Sequence, residues 1–347
     1  MITTDSIRQQ LATVKYPGFS RDIVSFGLVK DIRITGTEVV VQMSMSTADA
    51  AIPRQIKEQS EAALSAIPGV TSVAVRIDIT APQQQPMGAQ SMPQTSIPGV
   101  KHVIAVASGK GGVGKSTVAA NLACALAATG ASVGLCECDL YGPSVGIMFG
   151  ANERPFADED NRIIPIERYG LKLMSMGFLL EDDSPAILRG PMVTKYTQQF
   201  LRQVNWDGTD FLVLDLPPGT GDIQLTIVQT VALSGAVIVT TPQEVALIDA
   251  RKAVAMFGKT NVPILGIVEN MSYFLCPGDG KRYDIFGTGG GGREAAKLQV
   301  PLLGEVPIEP LVRQSGDSGR PAVEAHPESA AAEVFRGIAE KIQRAVA

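Results

Sequence analysis

Nine consecutive residues combine glycines, lysines and hydroxyl groups at a spacing that suits phosphate binding. They are Gly109-Lys110-Gly111-Gly112-Val113-Gly114-Lys115-Ser116-Thr117. The segment follows an apolar run at 103–107 and precedes a helical stretch at 116–129, which is the context that a phosphate-binding loop requires. Glycine lets backbone N–H groups turn towards phosphates, Lys115 can reach the β- and γ-phosphates, and the Ser116 hydroxyl can bind a magnesium ion. The sequence therefore predicts a nucleotide site.

The loop carries a second lysine, Lys110, where most such loops have one. Two ammonium groups in one small loop are costly unless a polyanion neutralises them. We therefore expect Lys110 to act on phosphates as well.

Two acidic residues end apolar runs elsewhere in the chain. Asp215 closes the run at 211–214 and is the predicted magnesium-side carboxylate, and the glycine-containing segment 219–222 that follows could move when a γ-phosphate is present. Asp139 ends the run that begins at Leu135. It could orient or deprotonate the attacking water, or hold a magnesium-bound water, and the sequence leaves these roles open.

A cysteine pair, Cys136 and Cys138, lies within the second run. A metal site is one interpretation, but cysteine in a buried strand packs as a small hydrophobe, and the sequence favours packing.

Composition limits the classes of function. The 347 residues are 45% hydrophobic with a net charge of −5, so we expect no nucleic-acid or membrane partner. There is no charged segment followed by an apolar one at the N-terminus and no run of 18 apolar residues, which predicts a cytoplasmic protein. Four cysteines fit a reducing compartment, and two histidines argue against histidine-based catalysis.

Three regions are predicted along the chain. Residues 81–99 hold four prolines, five glutamines and no charge, and are expected to form a linker. Residues 1–80 have two helical and two alternating segments, which indicates a small α/β domain. Residues 100–347 alternate apolar runs with helical stretches, which predicts a doubly wound, mostly parallel α/β sheet with its ligand at the carboxyl ends of the strands.

Several motifs together resemble the Mrp family of iron-sulfur cluster carrier ATPases. Besides the loop at 109–117, they lie at 139–144, 189–192, 215–222, 241–244 and 269–274. Residues 1–80 resemble the small domain shared with iron-sulfur assembly and PaaD-like proteins.

The resemblance implies a homodimeric ATPase of the wider class that includes MinD, ParA and the nitrogenase iron protein. It implies ATP and Mg²⁺ as cofactors and apo iron-sulfur proteins as clients. Lys110 would cross to the partner's phosphates, as an arginine finger does in trans. Asn270 would contact the adenine. The alternative is that it only ends a strand and has no ligand contact.

The sequence departs from the family pattern in two places. Carriers usually have Cys-Pro-x-Cys where this chain has Cys276 followed three residues later by Asp279, and the small domain lacks its usual cysteine at 47–51. We therefore expect at most a labile [4Fe-4S] cluster bound through Cys276.

The alternative function is a MinD- or ParA-like positioning ATPase, or a regulatory ATPase that carries no cluster. The C-terminal segment mixes both charge signs, unlike a basic membrane helix. The glycine run at 287–293 is interpreted as a mobile structural loop.

Overall fold

The computed structural model describes residues 3–15, 22–24, 27–46, 51–80, 94–139, 142–178 and 201–347. The chain divides into two compact units, Met1–Gln90 and Ser91–Ala347. The predicted motif at 189–192, most of the linker (81–93) and most of the segment expected to carry the small domain's cysteine (47–50) lie outside the described residues.

The smaller unit is a three-stranded sheet with two helices. Its elements are α1 (Thr4–Leu11), β1 (Val29–Thr35), β2 (Glu38–Ser46), α2 (Ala51–Ser65) and β3 (Ser72–Thr80). Strand β2 pairs antiparallel with β1 and parallel with β3. Alternate apolar residues of β2 point into the core because side chains along a strand alternate between the two faces. Strand β1 was not predicted: three of its residues are charged, and none is fully buried.

The larger unit is built on one eight-stranded sheet. Its strands are β4 (Val100–Ala107), β5 (Val133–Glu137), β6 (Ile166–Arg168), β7 (Leu171–Ser175), β8 (Thr209–Asp215), β9 (Gly235–Thr240), β10 (Ile264–Glu269) and β13 (Leu302–Glu305). Their order is β13-β10-β9-β4-β8-β5-β7-β6, and every neighbouring pair is parallel except β6 and β7. The predicted mostly parallel α/β fold is confirmed.

Helices connect these strands and cover the sheet. They are α3 (Lys115–Ala127), α4 (Val145–Phe149), α5 (Asp222–Thr230), α6 (Glu244–Lys259), α7 (Gly290–Leu298), α8 (Pro310–Asp317), α9 (Ala322–Ala325) and α10 (Ala330–Val346). Helix α3 is buried along most of its length, which explains its alanine-rich and mostly apolar sequence after the first turn. No helix among the described residues is long and apolar enough to cross a bilayer.

A short antiparallel hairpin interrupts the α/β alternation after β10. It consists of β11 (Phe274–Leu275) and β12 (Arg282–Tyr283). Two-residue strands leave no detectable periodicity, so the sequence did not predict them.

The larger unit begins before residue 100, where the sequence placed the end of the linker. Thr95 forms a bridge with Val231, and Ile97 is buried in the core of the sheet domain. Ile97, an apolar residue in the proline-rich stretch, therefore belongs to the sheet domain and not to the linker.

Candidate functional site

The phosphate-binding loop joins β4 to α3 at the carboxyl edge of the sheet. A side chain at Gly109 would place its Cβ 2.0 Å from the backbone oxygen of Asp249 on α6, so the loop packs directly on that helix. Gly112 and Gly114 both have φ of 79°, a conformation that residues with a Cβ rarely adopt. The glycines therefore fix the shape of the loop.

Lys115 and Asp215 form a buried ion pair at the centre of the site. Their side chains are 6% and 0% exposed. Lys115 Nζ contacts Asp215 Oδ1 and lies 3.2 Å from Ser116 Oγ. Burial raises the pKa of Asp215, and the Lys115 ammonium opposes that rise. The structure thus brings together the three side chains that the sequence assigned to phosphate and magnesium.

The same group of side chains fits a divalent cation. The Lys115 ammonium lies against both Ser116 and Asp215, which shows that these oxygens accept a positive charge between them. The second carboxylate oxygen of Asp215 is buried and has no hydrogen-bond partner among the described residues. Hydroxyl and carboxylate oxygens are the protein ligands that magnesium prefers.

A polar cavity of about 320 Å³ opens above the loop. Its lining includes Lys110, Lys115, Ser116 and Asp139. Lys110 is half-buried and forms no ion pair with any described residue. One of the two predicted lysines thus has a carboxylate partner within this part of the chain and the other has none.

Asp139 follows β5, which lies next to β8 in the sheet. The backbone N–H of Gly142 donates to Asp139 Oδ1 at 3.4 Å, and the Asp139 charge contributes to raising the pKa of Asp215. The structure therefore places Asp139 near Asp215, with Asp139 lining the polar cavity.

The preceding residues of this strand serve the fold. Cys136 and Cys138 are buried in the core, and burial raises the pKa of the Cys136 thiol. The described residues contain no cluster of three or more histidine, cysteine or acidic side chains that could hold a metal. Both thiols lie in the core of the sheet domain, where cysteine packs as a small hydrophobe.

Glu137 has a structural role that the sequence did not assign. Its fully buried carboxylate accepts hydrogen bonds from Ser144 N at 2.5 Å, Ser144 Oγ at 3.0 Å, Val145 N at 3.2 Å and Ser175 Oγ at 2.5 Å. It thereby anchors the start of α4 and the end of β7 beside the cavity. The available sequence signal for this role was an acidic residue inside an otherwise apolar run, at what is the last residue of β5.

A second, apolar cavity of about 650 Å³ adjoins the polar one and shares Gly114 and Thr117 with it. Gly114, Thr117 and Asn270 form one wall, and Met148 and Ile308 lie among its apolar residues. Segments 147–148 and 307–308 were not predicted as site residues. They lie after β5 and β13, at the carboxyl edge where the other site residues were expected.

Asn270 faces the loop itself. Its side chain is buried, and its Nδ2 atom donates to the backbone oxygen of Val113 at 2.9 Å. The sequence gave no indication of this contact, because the two residues are 157 positions apart.

Cys276 lies in the hairpin and is half-buried. Asp279, at the position of the usual second cysteine, accepts hydrogen bonds from Lys281 N at 3.0 Å and from the Tyr283 hydroxyl at 2.8 Å. These bonds hold the pKa of Asp279 below its ordinary value. The hairpin therefore supplies one thiol and an already bonded carboxylate, which is not a four-thiolate cluster site.

Residues 290–293 of the glycine run at 287–293 are helical, which corrects the interpretation of the whole run as a mobile loop. Gly290 and Gly291 begin α7 and are buried. A Cβ at Gly290 would lie 2.5 Å from the backbone oxygen of Pro242, and one at Gly291 would lie 2.9 Å from Glu269 Cβ. Glycine is required because the helix start packs directly on the neighbouring strand ends.

Sequence comparisons match both units. A profile described as the NUBPL iron-transfer P-loop NTPase (ParA) matches residues 99–343, and one described as an iron-sulfur cluster assembly protein matches residues 4–82. Proteins named iron-sulfur cluster carrier protein from Synechocystis sp. and Escherichia coli are 45% and 41% identical to the chain. The first match covers 99% of this chain and 97% of the relative, and the second covers 96% and 89%.

Solved structures match the larger unit. A nucleotide-binding protein from Archaeoglobus fulgidus in complex with ADP is 40% identical, with a TM-score of 0.58 over 64% of this chain and 87% of that chain. The cell division ATPase MinD from Pyrococcus furiosus is 25% identical, with a TM-score of 0.54 over 70% of this chain and 98% of that chain.

Proposed function

The chain belongs to the NUBPL iron-transfer P-loop NTPase family, and from this premise we propose that it is an ATP-hydrolysing iron-sulfur cluster carrier that works as a homodimer. Its resemblance to cluster carriers, predicted from sequence motifs, is confirmed. The observation that carries the proposal is the buried group of Lys115, Ser116 and Asp215 beneath a polar cavity. The ADP complex of the Archaeoglobus fulgidus protein supports the same ligand class.

The nucleotide phosphates would lie over the loop, with Lys115 at the β- and γ-phosphates. Ser116 and Asp215 would hold magnesium, which neutralises charge on the phosphates. Asn270 and the apolar cavity lie on the side of the loop where we expect the adenine.

Asp139 is proposed to position or deprotonate the attacking water, because its carboxylate faces the phosphate cavity from a neighbouring strand. Lys110 is proposed to reach the phosphates bound by the partner copy. A half-buried ammonium without a carboxylate among the described residues suits a polyanion supplied from outside the chain.

The cargo would be an iron-sulfur cluster, delivered to apo iron-sulfur proteins. Cys276 is the thiol that the hairpin offers to cluster iron. Asp279 is a poorer ligand because its carboxylate is hard and already hydrogen-bonded. We therefore propose weak, readily released cluster binding, with Cys276 of both copies as ligands.

Anaerobic reconstitution followed by transfer to an apo [4Fe-4S] enzyme tests the proposal. We expect substoichiometric iron and sulfide on the protein, and recovery of client activity that depends on ATP. Reconstituted protein that hydrolyses ATP but neither binds iron nor activates any client would favour the second candidate, a regulatory ATPase. The hydrogen-bonded Asp279 is the observation that supports that candidate.

A further inference from the structure

We propose that Asn270 is a positioning residue for the phosphate-binding loop. Its amide holds the Val113 carbonyl so that the following N–H group points towards the phosphates. The inference rests on the proposed function in one respect, since it takes the loop to bind phosphates. It assigns Asn270 a role that does not depend on contact with a base.

The peptide bond between Val113 and Gly114 transmits the effect. In a planar trans peptide the carbonyl oxygen and the next N–H point in opposite directions. Asn270 Nδ2 donates to Val113 O at 2.9 Å, which fixes the oxygen on the Asn270 side. The Gly114 N–H must then point away from Asn270. Gly114 lines both cavities, whereas Asn270 lines only the apolar one. The direction away from Asn270 is therefore towards the polar cavity that Lys115 also lines, which is the proposed phosphate space.

The amide and the loop are in close contact. A Cβ added at Gly114 would lie 2.2 Å from Asn270 Nδ2. Gly114 also has φ of 79°, so both space and backbone conformation require glycine there. The Asn270 amide therefore forms part of the support on which the loop lies.

Asn270 itself is held firmly. Its backbone N–H donates to Thr240 O at 2.8 Å. The preceding Glu269 carboxylate is fully buried and accepts from Ser272 Oγ at 2.6 Å and from Gly291 N. Ser272 N donates in turn to Val306 O at 2.9 Å. Bonds to three neighbouring segments thus fix the backbone around Asn270, so that its side chain can impose a conformation on the loop.

A positioning role and a base contact predict different ligand dependences. A residue that reads the base changes the preference among nucleotides and leaves a ligand without a base unaffected. A residue that orients the loop changes affinity for every ligand with the same phosphates. Ile308 offers a matched control, because it lines the apolar cavity and its backbone N–H donates to Tyr273 O rather than to the loop.

Titration calorimetry with ATP, GTP and inorganic tripolyphosphate, each with magnesium, separates the two roles. We expect Asn270→Ala to weaken binding of all three ligands by about tenfold, which is the effect of one lost buried hydrogen bond. The ratio of the affinities for ATP and GTP should not change. Ile308→Ala should weaken ATP and GTP and leave tripolyphosphate at the wild-type affinity. Wild-type tripolyphosphate affinity in Asn270→Ala would overturn the inference.

Hydrogen exchange of the ligand-free protein tests the loop directly. Amides of residues 112–116 should exchange at least about tenfold faster in Asn270→Ala and at the wild-type rate in Ile308→Ala. Unchanged exchange in Asn270→Ala would overturn the inference. If wild-type protein bound neither ATP nor tripolyphosphate, the proposed function would be wrong, whereas the exchange experiment would still decide the role of Asn270.

Discussion

Lys115 Nζ contacts Asp215 Oδ1 inside the protein, and the two side chains are 6% and 0% exposed. The lysine that the loop offers to phosphates is therefore held by the carboxylate assigned to magnesium. In the proposed nucleotide complex, Lys115 turns from Asp215 to the phosphates. The ion pair thus opposes binding of a nucleotide that arrives without magnesium.

Asp215→Asn should consequently bind ATP more tightly than wild type when magnesium is removed with EDTA. The asparagine side chain in Asp215→Asn would carry no charge to hold Lys115 or to repel phosphate. We therefore expect about a tenfold gain in ATP affinity. With magnesium present the order should reverse. Titration calorimetry in both buffers measures the change.

Asp210→Asn is the matched control, since Asp210 lies near the opposite end of β8 and bonds Lys101 and Ser132. Asp210→Asn should bind ATP with the wild-type affinity in both buffers. If wild type and Asp215→Asn bound ATP equally tightly in EDTA, the ion pair would not oppose nucleotide binding.

The two lysines of the loop should differ in their effects. Lys115→Ala should abolish tight ATP binding, because it removes the charge that meets the β- and γ-phosphates. Lys110→Ala should retain binding, with turnover reduced by about 10³-fold and nucleotide-dependent dimerisation lost, as expected for a finger residue acting in trans. Calorimetry and analytical ultracentrifugation with ATP report the two properties. If neither variant bound ATP, separate roles for Lys110 and Lys115 would be excluded.

The hairpin should gain cluster stability from a second thiol. Anaerobically reconstituted wild type should hold little stable cluster, Cys276→Ser none, and Asp279→Cys clearly more, because thiolate is the better ligand for cluster iron. Visible absorbance and iron content measure the series.

Tyr283→Phe serves as the control, since it removes one hydrogen bond from Asp279 without adding a ligand. Tyr283→Phe should hold no more cluster than wild type. A robust wild-type cluster that survives Cys276→Ser would place the cluster site elsewhere.

Glu137 should make stability depend on pH. Burial raises its pKa above the ordinary value of about 4.3. Its contribution to stability is therefore fully present below that value and is lost as pH rises through the raised pKa. The melting temperature of wild type minus that of Glu137→Gln should be larger at pH 5 than at pH 8.

Glu153→Gln is the control, because the contribution of Glu153 to stability should stay constant between pH 5 and pH 8. Hydrogen bonds from its own backbone N–H and from Arg168 lower the pKa of Glu153. Its contribution is present above the ordinary pKa and is lost as pH falls through the lowered value. If the melting-temperature difference changed with pH in the same way for both variants, the pH dependence could not be assigned to Glu137.

The sequence by itself determined the local features. The glycines and lysines at 109–117, with an apolar run before them and a helical stretch after them, identify the loop from the sequence. Runs that are apolar on both faces predicted the buried parallel strands, because covered strands show no alternation. Asp139 and Asp215 were found by the same reasoning, since they end such runs at one edge of the sheet.

Only the tertiary structure decided how distant residues meet. Asn270 bonds Val113 across 157 positions, and Lys115 pairs with Asp215 across 100. Glu137 and Asp139 both lie near the end of one strand, yet Glu137 is fully buried and Asp139 faces the cavity. Strand order and the depth at which each strand ends set these partners. Both arise from packing of the whole domain, which periodicity along the chain does not encode.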